Sequence, residues 1–548
     1  MSSVRSGVVA ALSFISATAM IVALAPASAA ETSATPESQP VVAGPTVTPA
    51  ASLNNATCRS ARKAVTAFPA DWSQIDDDII TLGSWTVDFG RDRWQADHPR
   101  VELLTRAFHS SAWLIPESLE DLSRSIELFV EQARVNPDPG ATMSALALRE
   151  RGWIEGHTTR RLKTALCLYR LADSQQRTMM TPAIEQLLDA NLDPRRYYGP
   201  PLNPAHNHGL MADRELLNAA RHLKRPDLAE AAVDRLQLQK ADMYDACGFN
   251  YEQASSYQFL HASLWRQLLR RIDVPAFAER IERTVQTITE ASNSLAFPDG
   301  GIPAIGDGRH RTIDDLSVVS APTRLWCPET GWSSRRTSRS GITQQLITRF
   351  GPATNFHGHS DKGSFAWWVG QGSAGVPVIT DRGTPPKTKP KLVDRLRSAE
   401  SHTVFGWRGA SDRSTTASSR RSNGRETLSI TTQRGDWIRS IRFTPKRFVL
   451  RVEDQVSVGE SAGRARSYLQ LDPVWQRTSN GQTFRTDSGW RLQVRCTDSS
   501  GDRLPMTTDN VTDFQQNLQR PALRVTCSVR DASRGITATL KVTPPRAR

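Results

Sequence analysis

Beyond its opening segment, this 548-residue chain has no apolar run near the roughly 20 residues that a membrane-spanning helix needs. That absence excludes an integral membrane protein of the helical kind. Cysteine is scarce: six residues, too widely spaced for a Cys-x-x-Cys metal site. Basic clusters of the kind that bind nucleic acid are missing, although Lys and Arg outnumber Asp and Glu by 69 to 56. No pair of carboxylates stands apart from the ordinary acids of helical faces, which argues against a two-carboxylate glycoside hydrolase.

What is present begins with a secretory signal, read over residues 1–30. Arg5 is its positive start, Val8 to Leu24 is nearly all apolar, and Ala27-Ser28-Ala29 offers small residues for cleavage. Residues 31–57 follow as a flexible linker of Ala, Thr, Pro, Ser and Val, too poor in apolar surface to offset the entropy of ordering. Export would place the chain in an oxidising compartment, where an even number of cysteines permits disulfides. Cys496 and Cys527 lie in two similar strand-like runs and are expected to pair across a sheet. The net charge of +13 is spread along the chain, and such a field concentrates polyanions or simply aids solubility. The expected partner is an acidic extracellular polymer, with no nucleic acid and no membrane after signal cleavage; a homo-oligomer is compatible with the sequence.

The remaining chain changes period once. Residues 58–330 read as helix, with apolar residues at i, i+3, i+4, i+7 in 118–135, 157–174, 212–223, 231–246 and 277–296. Helices in series with short polar connections suggest stacked hairpins, in a solenoid or a closed toroid. Residues 331–548 alternate with period two in short runs rich in β-branched and aromatic residues, such as SFAWWVG, VPVIT and RFVLRVED. Close spacing of such strands predicts an antiparallel β-sandwich. The fold class is therefore α+β and multidomain, with helices first.

Three segments carry chemistry. In Asn355-Phe356-His357-Gly358-His359-Ser360-Asp361 the two histidines project to one side of an extended chain and reach one small volume. With Asp381 and His402, His359 makes a His/Asp/His set suited to zinc. Asn207-His208-Gly209 opens a predicted helix and turns an amide and an imidazole toward a pocket, or caps the helix. Tyr251 to Tyr257 holds two of only seven tyrosines, and a catalytic Tyr needs a cation or strong hydrogen bond beside it.

Together these segments resemble the heparinase II/III-like polysaccharide lyases, in the correct order and across both halves. The family signature N-x-H-G-H-x-D, a following Asp-x-Gly turn and a Ser-x-His segment correspond to NFHGHSD, TDRG and SHTVFG. The last departs from the family by lacking Asn after His402. Asn207 to Gly209 and Glu252 to Tyr257 match the family's N-terminal motifs, FPDGGIPAIGDGRH (297–310) its linker, and WIRSIRFTPKRFVLRVEDQV (437–456) its paired strands.

The resemblance implies an N-terminal (α/α) toroid, a C-terminal antiparallel β-sandwich, and β-elimination at a uronic acid. Asn207 and His208 would neutralise the sugar carboxylate, and Tyr257 and His357 would divide the acid and base roles. His359, Asp381 and His402 would hold a structural zinc, with Asp361 orienting an imidazole; no organic cofactor is implied. For substrate binding the reading points to Arg160, Arg161, Tyr198, Glu252 and Arg309, with Arg195, Arg196, Tyr197 and Trp153 as further neighbours. A zinc-dependent hydrolase and a non-catalytic glycan-binding protein are the alternatives.

Overall fold

A computed structural model describes residues 55–545 except 64–72, 77–78, 83–84, 89–93, 95–101, 141, 145–147, 150, 273–274, 309–310, 313–322, 340, 352–355, 372–373, 386–389, 408–415, 423–424, 433–434, 445–447, 460–462 and 516–517. The expected signal peptide and nearly all of the expected linker lie outside the described residues. Contacts gather the described residues into one compact unit.

Helical periodicity becomes Ala56–Lys63, Glu102–His109, Leu122–Val135, Glu155–Leu171, Ser174–Leu192, Asn207–Leu223, Pro226–Met243, Ser255–Leu269 and Pro275–Leu295. Their sequences explain their ends and faces. Leu122, Ile126 and Phe129, one or two turns apart, are buried together. Asp173 and Gln176 form a reciprocal capping box at the start of Ser174–Leu192. Pro226 opens Pro226–Met243, where a missing N–H costs nothing. Among the described residues no helix is long and apolar enough to cross a membrane.

The helical half departs from expectation at both ends: Arg324–Cys327, within residues 58–330, is an edge strand of the second half, and a small sheet lies near the start. Ser73–Asp76, Ile79–Leu82 and Trp85–Asp88 form a three-stranded antiparallel sheet. In Ile79–Leu82 exposed and buried positions alternate, a period-two pattern too short to stand out beside long helices.

The second half is built of two antiparallel sheets. In spatial order the first runs Met506–Gln515, Leu518–Val529, Ala465–Leu471, Ala374–Ile379, Phe365–Gln371, Ile342–Arg349, Trp332–Arg339, Arg324–Cys327. The second runs Thr416–Ser422, Arg425–Thr432, Gly435–Thr444, Val449–Gly459, Ile536–Thr543, Arg491–Thr497, Thr483–Arg485, Gln476–Arg477. Trp367 and Val369 of the first sheet share a core with Leu428, Trp437 and Leu450 of the second. The pattern along Arg491–Thr497 shows why: Leu492, Val494 and Cys496 face inward while the residues between them are exposed.

Cys496 does bond Cys527, but their strands lie in opposite sheets, so the bridge staples the sandwich across its core. Cys58–Cys167 and Cys247–Cys327 complete the pairing. The last joins the loop after Pro226–Met243 to the edge strand Arg324–Cys327.

A separate core ties helices to sheet. Phe249, Leu295, Phe297 and Ile305 pack with Trp332, Ile347 and Trp368, and Phe249 stacks on Trp332 at 5.7 Å. Large side chains so buried contribute about 1.5–3 kcal/mol each. This shared core fixes the helical loops against the sheet face that carries the His357 loop.

Candidate active site

Three segments meet at Gly306. A Cβ there would lie 2.7 Å from the His357 carbonyl and 2.8 Å from that of Gln253, and its φ is +67°. Only glycine relieves both constraints at once. The loop before Ser255–Leu269, the segment after the helices and the His357 loop are thereby brought into van der Waals contact.

The helix side presents its groups at helix starts. Asn207 is the first residue of Asn207–Leu223; its N–H and its Nδ2 each donate to Glu252, both at 2.8 Å. His206 caps this helix, its Nδ1 accepting from the His208 N–H at 3.2 Å. His208 itself reaches the buried Glu155, with Nδ1 3.2 Å from its carboxylate. Gly209 follows because the Tyr198 carbonyl would lie 2.4 Å from a Cβ there. The half-exposed Tyr198 ring borders both histidines, 5.9 Å from His206 and 5.8 Å from His208.

Glu252 joins the two sides. Buried, it also accepts from His261 Nε2 at 3.1 Å and lies 3.4 Å from His357 Nε2. Burial alone would raise its carboxyl, but the His261, His206 and His357 rings outweigh that and hold it well below the usual carboxylate range. His206 is lowered as well: burial pushes it down to about 4.

On the sheet side, His357 lies face to face with Tyr257, ring centres 3.6 Å apart and planes 19° off parallel. Its Nδ1 donates to Asp307 Oδ2 at 2.9 Å, and His359 Nε2 donates to Asp307 Oδ1 at 2.8 Å. Burial would raise the Asp307 carboxyl; hydrogen bonds from both histidines and the charge of Arg397 hold it far lower. Beyond His359, its ring 5.1 Å away, His402 donates through Nδ1 to Asp381 at 2.8 Å.

The structure thus joins Asn207, His208, Tyr198, Glu252, Tyr257, His357, His359, Asp381 and His402 in one network of contacts. Glu252 contacts Asn207, His261 and His357 within the protein. Arg161 is not part of the site. It is wholly buried over Trp153 and donates to the carbonyls of His109 and Gly152, because its helix face points into the packed core. Trp153 is buried beneath it, and Tyr197 is buried with its hydroxyl on Asp213, so neither offers a stacking surface. Arg160 folds back on the Gly156 carbonyl of its own helix. Arg195 and Arg196 pair with Asp193 and Asp138. Arg309 lies outside the described residues, as does Asn355.

Sequence reasoning missed His206, His261, Asp307 and Arg397. His206 carried a signal, standing two residues from His208. Asp307 stood in the segment read only as a linker, and Arg397 and His261 had no local pattern.

For a metal, the expected set of His359, Asp381 and His402 fits in chemistry more than in placement. Among the described residues His359 Nδ1 and His402 Nε2 are buried and lack hydrogen-bond partners, as imidazole ligands awaiting an ion would. Yet among the described residues only His206/Glu252/His357 and Asp245/Cys247/Cys327 offer three donor atoms within 4.8 Å of one another. Asp307 and Asp381 hold the two histidines in separate hydrogen-bonded pairs. In the second trio the two cysteines form a disulfide, and in the first the Glu252 oxygens already accept from Asn207 and His261.

No family model and no curated protein sequence matches the chain. Solved structures do. A heparinase III structure superposes with a TM-score of 0.69 at 12% identity, over 93% of this chain and 88% of the other. A second heparinase III gives 0.63 at 13% identity, over 89% and 84%. A mutant of the heparan sulfate lyase HepC from Pedobacter heparinus gives 0.59 at 16% identity, over 90% and 84%. The chain has a heparinase-like polysaccharide lyase fold, with helices first and antiparallel sheets after them.

Proposed function

We propose that this heparinase-like fold serves a secreted lyase that cleaves a uronate-containing acidic polysaccharide by β-elimination. The carrying observation is that Asn207 and His357, from a helix start and a sheet loop, meet at the buried Glu252 carboxylate, with Tyr257 stacked on His357 and His208 edge-on to His206 beside them. Fold likeness alone does not carry chemistry; the placement of these groups does.

Elimination makes three demands. The sugar carboxylate must be neutralised so that the C5 proton becomes acidic, and Asn207 and His208 stand ready to donate to it. A base then takes the C5 proton, and the electron pair left behind forms the C4–C5 double bond. The C4–O bond breaks, and the departing oxygen takes a proton from an acid. Both His357 nitrogens face carboxylates, at 2.9 Å and 3.4 Å, which favours charge stabilisation for this ring. Tyr257, stacked on it, is then the side chain that moves protons. Tyr198 supplies an exposed aromatic face at the rim for a sugar ring.

Zinc at His359, Asp381 and His402 is part of the same proposal, supported by the two unpartnered imidazole nitrogens. Bound there it would brace the His357 loop and supply no step of the reaction. Metal content of the purified protein, and thermal unfolding with and without chelator, test it directly.

The test of function is incubation with a panel of uronate polymers, followed by ultraviolet absorbance of unsaturated products. Release of unsaturated uronate supports the lyase; cleavage without it, abolished at once by chelator, would make the protein a metal hydrolase.

A further inference from the structure

Asp307 does more than its place between helices and sheet requires. Its carboxylate is buried and its two oxygens are divided between two histidines, His359 on Oδ1 and His357 on Oδ2. Arg397 adds a third donor, Nη2 to Oδ2 at 2.7 Å. The Asp307 N–H in turn donates to the His357 carbonyl at 2.8 Å. Anchoring the loop would need only this last bond. The side chain therefore has another consequence: a carboxylate only accepts, so the shared hydrogen on each bond belongs to the histidine. Nδ1 of His357 carries a proton and its Nε2 is turned toward Glu252. The ring plane so defined is the one that lies against Tyr257 at 3.6 Å.

We propose that Asp307 is a positioning residue for the elimination, fixing the plane and tautomer of His357 and locking it to His359 through one carboxylate. This rests on the lyase reading above. It acts through His357 and touches no substrate atom itself. Orientation of an imidazole by a carboxylate on its far nitrogen is a general device, and losing it costs more than the hydrogen bond because the ring can then turn or carry its proton on the wrong nitrogen.

Asp307→Asn is the sharp test, made in the full chain. The amide has nearly the same shape but only one acceptor oxygen, so it can no longer accept from both histidines. On the polymer that the parent cleaves, kcat is expected to fall about 100-fold, the scale of such outer partners. KM should stay within about twofold, since uniform binding is untouched. Long-range proton–nitrogen spectra of histidine-labelled protein should show His357 protonated at Nδ1 in the parent and lose that signal in the variant. Arg397→Gln, which removes the third donor and leaves both histidine bonds, should cost kcat less than Asp307→Asn. Unchanged kcat, or an unchanged His357 signal in Asp307→Asn, would overturn the proposal; so would loss of thermal stability with kcat retained. A parent that makes no unsaturated product from any polymer would defeat the lyase reading instead, and the histidine spectra would still decide whether Asp307 sets the tautomer.

Discussion

His206-Asn207-His208 opens a helix, whereas His357-Gly358-His359 crosses a loop between strands. On the helix side, backbone geometry divides the labour: His206 turns back to cap the first turn, and His208 reaches across to the buried Glu155. On the loop side nothing in the backbone pattern holds the rings, and one carboxylate, Asp307, takes both. The same spacing thus yields two arrangements, one set by secondary structure and one by buried charge. Groups held by a helix start should tolerate the loss of a neighbour. Groups held by a carboxylate should not.

The largest effect should come where the two sides touch. Tyr257→Phe keeps the stack on His357 but removes the hydroxyl, and should lower the rate of unsaturated product by about 10²–10⁴-fold. A variant as fast as the parent would detach Tyr257 from the chemistry. Next, His357→Ala should cost about 100-fold or more in kcat, while His208→Ala should cost nearer about 10-fold. Equal losses would erase the contrast between loop and helix start. Arg161→Leu should leave the kcat of folded protein intact and reduce stability by about 2–3 kcal/mol, because two buried carbonyls lose their donor. Urea unfolding beside steady-state kinetics separates the two readouts.

The smallest effect is a pH dependence of stability on the helix side. Burial depresses His157 well below its ordinary value, and His206 to about 4. Both are then neutral in the fold but take up protons when unfolded, near pH 6.5. Their contribution is present above about pH 6.5 and is lost as pH falls toward the folded values. Thermal midpoints should drop between pH 7 and pH 5, and less in His157→Gln. The depressed carboxyls of Glu252 and Asp307 lose their contribution only lower, once pH falls below about 4. A midpoint flat from pH 7 to pH 5 would show that burial of these histidines carries no proton linkage.

Much of this was legible because it is local. Leu122, Ile126 and Phe129 announce a helix by spacing alone, and Leu492, Val494 and Cys496 announce a strand facing a core. The pairing of Cys496 with Cys527 was also readable, though not that it joins opposite sheets. Arg161 was misread because a basic residue near a motif says nothing about which way its helix turns. The sequence neighbours of Glu252 suggest a substrate contact, whereas its partners in the fold are Asn207, His261 and His357. The small sheet at 73–88 was missed because its strands are only four residues each.

Residue type and period, by themselves, determined a helical half, a sandwich half and the segments that carry imidazole, amide and phenol. These are properties of a few consecutive side chains. What only the tertiary structure decided is which of those groups share partners. Asp307 lies 50 residues from His357 and 90 from Arg397 in sequence, and Glu252 45 from Asn207. Their meeting depends on the core of Phe249, Phe297 and Trp332 that docks helices on sheet. Charge partners at such separations leave no periodic trace in a chain; they are chosen by packing.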